Sequence, residues 1–62
     1  SLLETKKISC PYCGEMIDIV VDCSVYSQEY IEDCHVCCRP IDLTITIDAD
    51  GDPLINARHE NE

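Results

Sequence analysis

Two cysteine pairs of identical spacing constrain this chain more than anything else in it. Cys10 and Cys13 form one C-x2-C, Cys34 and Cys37 form a second, and twenty residues lie between them. A thiolate is a soft ligand that suits zinc or iron. Two cysteines three apart in a tight turn present both sulfurs on one side of the loop. Two such loops face to face make a tetrahedral four-thiolate site, and this spacing is the one expected for zinc, with iron as the alternative ion. A disulfide framework is the competing use of six cysteines. Paired C-x2-C loops in a chain without secretory marks favour metal.

The chain needs such a staple. It has 62 residues, so one small domain spans 1–62. A domain of this size buries only about 60% of the surface of its unfolded chain. A core below about 70–80 residues seldom supplies more than about 3–5 kcal/mol. Trp and Phe are absent and there are only three tyrosines, Tyr12, Tyr26 and Tyr30. Structural zinc contributes about 10–16 kcal/mol in small peptides at neutral pH, so folding is expected to depend on the metal.

The two loops align residue by residue, Cys10-Pro11-Tyr12-Cys13-Gly14 on Cys34-His35-Val36-Cys37-Cys38. Gly14 follows the second ligand, where the chain turns sharply and positive φ is favoured. Cys38 stands in the equivalent place. As a ligand it would make the rarer C-x3-C with Cys34, so Cys37 is preferred. His35 falls at the loop tip and reads as an exposed polar residue, not as the fourth ligand of a mixed site. His59 falls in the tail. Cys23 follows Ile17, Ile19 and Val21 on an alternating apolar face and reads as a small buried hydrophobe.

Alternation places the strands. Residues 17–23 alternate with period two and are rich in β-branched side chains, which predicts a half-buried strand. Residues 24–27 read as a turn and 28–33 as the returning strand. Residues 41–48 give the clearest strand, with Ile41, Leu43, Ile45 and Ile47 on one face. Asp50-Gly51 predicts a hairpin turn, and 54–58 a last short strand. Residues 1–7 read as loose apart from a strand start at Ile8, and 59–62 as a fraying end. No helix is predicted. The fold class is therefore small all-β, an antiparallel sheet of three to four strands with two cysteine knuckles at one end.

Charge narrows the partners. Thirteen acidic residues against four basic ones give a net charge of −9. Four thiolates and one Zn2+ take this to about −11. Such a surface repels phosphate backbones and anionic membranes and favours basic partners. No apolar run reaches the roughly 20 residues of a membrane span. The first residues, Ser1-Leu2-Leu3-Glu4, lead into polar sequence and not into the apolar core of a signal peptide. The expected location is the cytoplasm.

The segments CPYCGE at 10–15, VDCS at 21–24, QEYIEDCHVCCRPI at 28–41 and DADGDP at 48–53 resemble the CPXCG-motif cysteine-rich proteins, which are short and mainly bacterial. The resemblance covers nearly the whole chain. It departs at Val25–Ser27, where such proteins carry a glycine. It implies a zinc-ribbon-like fold and a four-cysteine site, and it implies no activity.

The expected function is a small structural-zinc protein acting as an acidic protein-interaction module. Asp18, Asp22, Asp42 and Asp48 would form the acidic face, with sheet edges open to strand addition or to self-association as a homodimer. Four cysteines fill the coordination shell and leave no place for water or substrate, so the chain is not expected to be an enzyme. A rubredoxin-like iron electron carrier is the alternative, weakened by the missing aromatics. A nucleic-acid-binding zinc ribbon is disfavoured by charge. Thiol chemistry at Cys38, beside a cation and Arg39, is weighed against a buried inert thiol and ranks below it.

Overall fold

The computed structural model describes residues 2–60. Five strands follow in chain order: β1 (Leu3–Ser9), β2 (Met16–Asp22), β3 (Ser27–Asp33), β4 (Pro40–Ile47) and β5 (Pro53–His59). The described residues contain no helix. β1 and β2 form a two-stranded antiparallel sheet, and β3, β4 and β5 form a three-stranded one with β4 in the middle.

Period-two alternation gives each sheet one apolar face, and the two faces share one core. Ile8 lies opposite Ile17 in the first sheet. In the second, the rows Tyr30–Leu43–Ala57 and Gln28–Ile45–Ile55 cross all three strands. Ile17, Ile19 and Val21 from β2 join Ile41, Leu43, Ile45 and Ile47 from β4 in a cluster that excludes every polar or charged side chain. Ile41, Leu43 and Ile45 are 0% exposed. Full burial of such side chains stabilises by about 1.5–3 kcal/mol each.

The all-β architecture agrees with the alternation, but there is one strand more than the three to four expected. The additional strand is β1. Residues 3–7 read as loose because their inward positions are charged: Glu4 lies opposite Val21 and Lys6 opposite Ile19. Lys6 and Glu4 form an ion pair at 3.0 Å. On the outer face Lys7 Nζ reaches Asp18 Oδ1 at 2.8 Å. Paired charges on an edge strand hide its periodicity without preventing pairing. The predicted fraying end is corrected too, because β5 runs through His59. Ser1, Asn61 and Glu62 lie outside the described residues.

Side chains of β3 join the sheets. The Tyr30 hydroxyl donates to the Val20 carbonyl at 3.2 Å, and Gln28 Nε2 donates to the Asp22 carbonyl at 2.9 Å. The turn between β2 and β3 is held by Asp22, whose Oδ1 accepts from the Ser24 amide at 3.0 Å and from the Ser24 hydroxyl at 2.6 Å. No residue at 24–27 has positive φ, so the departure at Val25–Ser27 creates no need for glycine. The Asp50-Gly51 turn forms as predicted, with Gly51 at φ +85° and Asp48 Oδ1 accepting from the amides of Asp50 and Asp52, each at 2.9 Å.

Candidate metal centre

Each cysteine pair closes a hairpin. The first knuckle caps β1–β2: the Cys10 amide donates to the Glu15 carbonyl at 2.8 Å, and the Gly14 amide donates to the Cys10 carbonyl at 2.9 Å. The second caps β3–β4 with the same two bonds, Cys34 amide to Arg39 carbonyl at 2.9 Å and Cys38 amide to Cys34 carbonyl at 2.8 Å. Amides also point at the leading sulfur of each loop. Tyr12 N–H lies 3.4 Å from Cys10 Sγ, and Val36 N–H lies 3.4 Å from Cys34 Sγ. A turn that directs amides at a sulfur stabilises the thiolate there.

The two knuckles face each other. Cys10 Sγ lies 3.8 Å from Cys37 Sγ, and Cys13 Sγ lies 3.8 Å from Cys34 Sγ. All four sulfurs fall within 4.8 Å of one another. Zinc–sulfur bonds of about 2.3 Å give a tetrahedron with edges of about 3.8 Å. The donor set and its dimensions therefore fit a four-coordinate thiophilic ion. Cys10 and Cys34 are buried, Cys37 is half-buried and Cys13 is exposed, so the site sits at one end of the core with one side toward solvent.

Four thiols this close compete for protons. At Cys10, burial pushes the thiol up, but hydrogen bonds from the Cys13 and Tyr12 amides and neighbouring thiols outweigh it and bring it down to about 6. Cys34 is drawn down as well, chiefly by the Cys37 amide. At Cys13 the Glu15 amide acts downward, but burial and the thiols of Cys10, Cys34 and Cys37 overcome it and push the group up to about 12. Cys37 is raised in the same way, against the Arg39 amide. Charge is thus favoured at Cys10 and Cys34 and disfavoured at Cys13 and Cys37, an imbalance that a dication would remove by stabilising four thiolates.

The remaining candidates fall outside the tetrad. Cys38 is exposed, which corrects the reading of it as a buried inert thiol, and its φ is +63°. His35 is exposed at the loop tip. Cys23 is buried beyond the far end of β2, where burial first and Glu4 second raise its thiol.

His59 is not in a tail. Its ring stacks on Tyr12 with centroids 4.4 Å apart and planes 13° apart. Its Nε2 lies 2.7 Å from the Pro11 carbonyl, which only accepts, so Nε2 carries the proton. The Tyr12 hydroxyl donates to the Pro40 carbonyl at 2.7 Å and accepts from the Glu60 amide at 2.8 Å. The Arg39 guanidinium carbon lies 5.3 Å from the centre of the Tyr12 ring. Knuckle one is thus tied to β4 and β5 at one end of the second sheet through Tyr12, a role that sequence reading did not assign. The alternation Ile55, Ala57, carried one residue past the predicted strand end at 58, is the signal that brings His59 to this place.

Comparison with curated proteins gives no match, and comparison with solved structures gives none either. Residues 8–58 match the family model described as a bacterial zinc ribbon domain, a span that covers both knuckles and strands β2 to β4 entire. With an all-β fold, two cysteine knuckles and one four-sulfur cluster, this small metal-binding chain belongs to the bacterial zinc ribbon domain family.

Proposed function

We propose that Cys10, Cys13, Cys34 and Cys37 hold one structural zinc ion, and that the loaded domain is a cytoplasmic, acidic protein-interaction module and not an enzyme. The observation that carries this reading is the closed tetrad, with all four sulfurs within 4.8 Å. Zinc bound there would cross-link two hairpins and supply what a small aliphatic core lacks. A filled shell leaves no position for a water or a substrate. The charge of −9 favours a basic protein segment as partner over nucleic acid or an anionic membrane. The resemblance to the CPXCG-motif proteins is consistent with this reading.

Metal analysis and native mass spectrometry of protein from iron-sufficient cells test the zinc assignment. One zinc per colourless chain, with six free thiols on denaturation and loss of sheet signal on chelation, is the expected result. A red protein with reversible one-electron reduction would replace it with the rubredoxin-like reading, since iron accepts the same four thiolates. A chain that stays folded without metal would remove the structural role.

A further inference from the structure

A few hydrogen bonds fix the direction of every backbone group in these sheets. Opposed residues of an antiparallel pair alternate between those that exchange both N–H···O bonds and those that exchange none. In the second sheet the Ile47 amide donates to the Tyr26 carbonyl at 2.9 Å, and the Cys34 amide to the Arg39 carbonyl at 2.9 Å. Both bonds lie in register with the Gln28–Ile45 and Tyr30–Leu43 pairs. Gln28, Tyr30 and Glu32 therefore turn their backbone groups to β4. Ser27, Glu29, Ile31 and Asp33 turn theirs outward, to the open edge. In the first sheet the bonds from Cys23 to Leu2 and from Cys10 to Glu15, each 2.8 Å, set the same alternation and turn Val20 and Asp22 outward.

The four outer edges are finished differently. On β2, the outward carbonyls of Val20 and Asp22 are occupied by Tyr30 and Gln28. β1 carries Lys7 and the inward Glu4–Lys6 pair, devices that discourage strand addition. β5 begins at Pro53, which has no N–H, and ends where His59 and Glu60 are held to knuckle one. On β3, among the described residues, no side chain occupies an outward carbonyl, and the one inward charge is Glu32, half-buried opposite Ile41. The strand's register with β4 is unbroken from Ser27 to Asp33, and it contains no proline, glycine or lysine. Among the described residues it pairs with β4 alone.

The side chains along this edge define what it would accept. Glu29, Ile31 and Asp33 follow one another on the outer face, all exposed, with Ile31 at 57%. Among the described residues neither carboxylate is in an ion pair, although others are engaged: Asp18 with Lys7, Asp42 with Arg58 at 3.5 Å, and Asp22 and Asp48 with turn amides. We infer that β3 is the docking edge for an extended basic segment of a partner protein, which adds as a fourth strand of the second sheet. The segment would present a cationic side chain, an apolar one and a second cationic one at alternate positions, opposite Glu29, Ile31 and Asp33. This deepens the acidic-module reading and rests on it.

The test is a titration of the zinc-loaded chain, followed by amide NMR, with the peptide Thr-Lys-Thr-Val-Thr-Lys-Thr and a control with both lysines replaced by glutamate. The expected result is binding of the lysine peptide alone, weakened by salt. The outward amides of Glu29, Ile31 and Asp33 should become at least tenfold slower to exchange at saturation. Glu29→Gln with Asp33→Asn should weaken binding at least tenfold. Ile31→Pro, which removes an outward N–H together with the exposed Ile31 side chain and leaves the bonds from Tyr30 and Glu32 to β4 in place, should block it while the remaining spectrum reports an intact fold. Lysine-peptide binding that maps to another surface would overturn the β3 assignment and leave the acidic-module reading standing. Absence of binding to millimolar concentration would overturn both. Concentration-dependent protection of the same three amides without peptide would assign the edge to a second copy of this chain instead.

Discussion

Cys38 and Gly14 occupy the same place in the two knuckles and share a left-handed backbone, with φ of +63° and +79°. Each amide donates back to the first cysteine of its own loop. A left-handed backbone costs a residue with a Cβ about 1–2 kcal/mol, and glycine almost nothing. Cys38→Gly should therefore raise stability by up to about 1 kcal/mol, after the greater freedom that glycine gives the unfolded chain is deducted. Cys38→Ala keeps the strain and should stay within about 0.5 kcal/mol of the parent. Gly14→Ala should lower stability by about 1 kcal/mol. Nothing lies within 4 Å of the added Cβ, so that loss would be backbone strain alone. Denaturant unfolding at fixed free zinc measures all three. Unchanged zinc stoichiometry in Cys38→Gly would also show that Cys38 is not a ligand.

Tyr12 and His59 act as one clamp between knuckle one and β5. Tyr12→Phe keeps the ring stack but removes the bonds to Pro40 and Glu60. Each such bond contributes a net of about 0.5–1.5 kcal/mol, so the variant should lose about 1–2 kcal/mol. His59→Ala removes the stack and the contact with the Pro11 carbonyl and should lose a similar amount. Amide exchange provides a local readout. The Glu60 amide should exchange faster in Tyr12→Phe, while the amides of Leu43 and Ile45 keep the protection set by global unfolding.

What the sequence made legible was whatever repeats. The knuckle spacing recurs in the same order, and so Gly14 could be matched to Cys38 before any geometry was known. β4 was legible because each alternate residue from Ile41 to Ile47 is apolar and buried. β1 was not, because Glu4 and Lys6 occupy its inward positions and satisfy each other by an ion pair. The contact between Tyr12 and His59 spans nearly the whole chain, and no local pattern encodes a pairing across that distance. The outward direction of Glu29 and Asp33 was likewise hidden, since it follows from hydrogen-bond parity and not from composition.

Leu43 sits at the centre of the middle strand, opposite Tyr30 on one side and Ala57 on the other, and is 0% exposed. Leu43→Ala should cost about 2–5 kcal/mol through lost burial and the cavity left behind. A core of this size supplies about as much in total. Like the parent, the variant should fold only with zinc bound, and it should show a lower thermal midpoint than the parent at equal free zinc. Thermal unfolding at two zinc concentrations checks this, because the midpoint of a metal-coupled fold must rise with free metal.

Proton release on metal binding tests whether the tetrad exists before the ion arrives. Protons compete with zinc for the sulfurs, so affinity must fall as pH falls. An unfolded chain has thiols near their ordinary 9.0, almost all protonated at pH 7, and binding would release about four protons. A preformed tetrad differs, because its Cys10 is already drawn down to about 6 and Cys34 is also lowered, while Cys13 stands near 12 and Cys37 is raised. It would release clearly fewer than four protons, because Cys10 has already lost most of its own at pH 7. Because folding is expected to depend on the metal, release should lie near four. Titration calorimetry in buffers of different ionisation enthalpy gives the number directly. A value clearly below four would show that the hairpins face each other without zinc, and that the ion enters a site the core has already built.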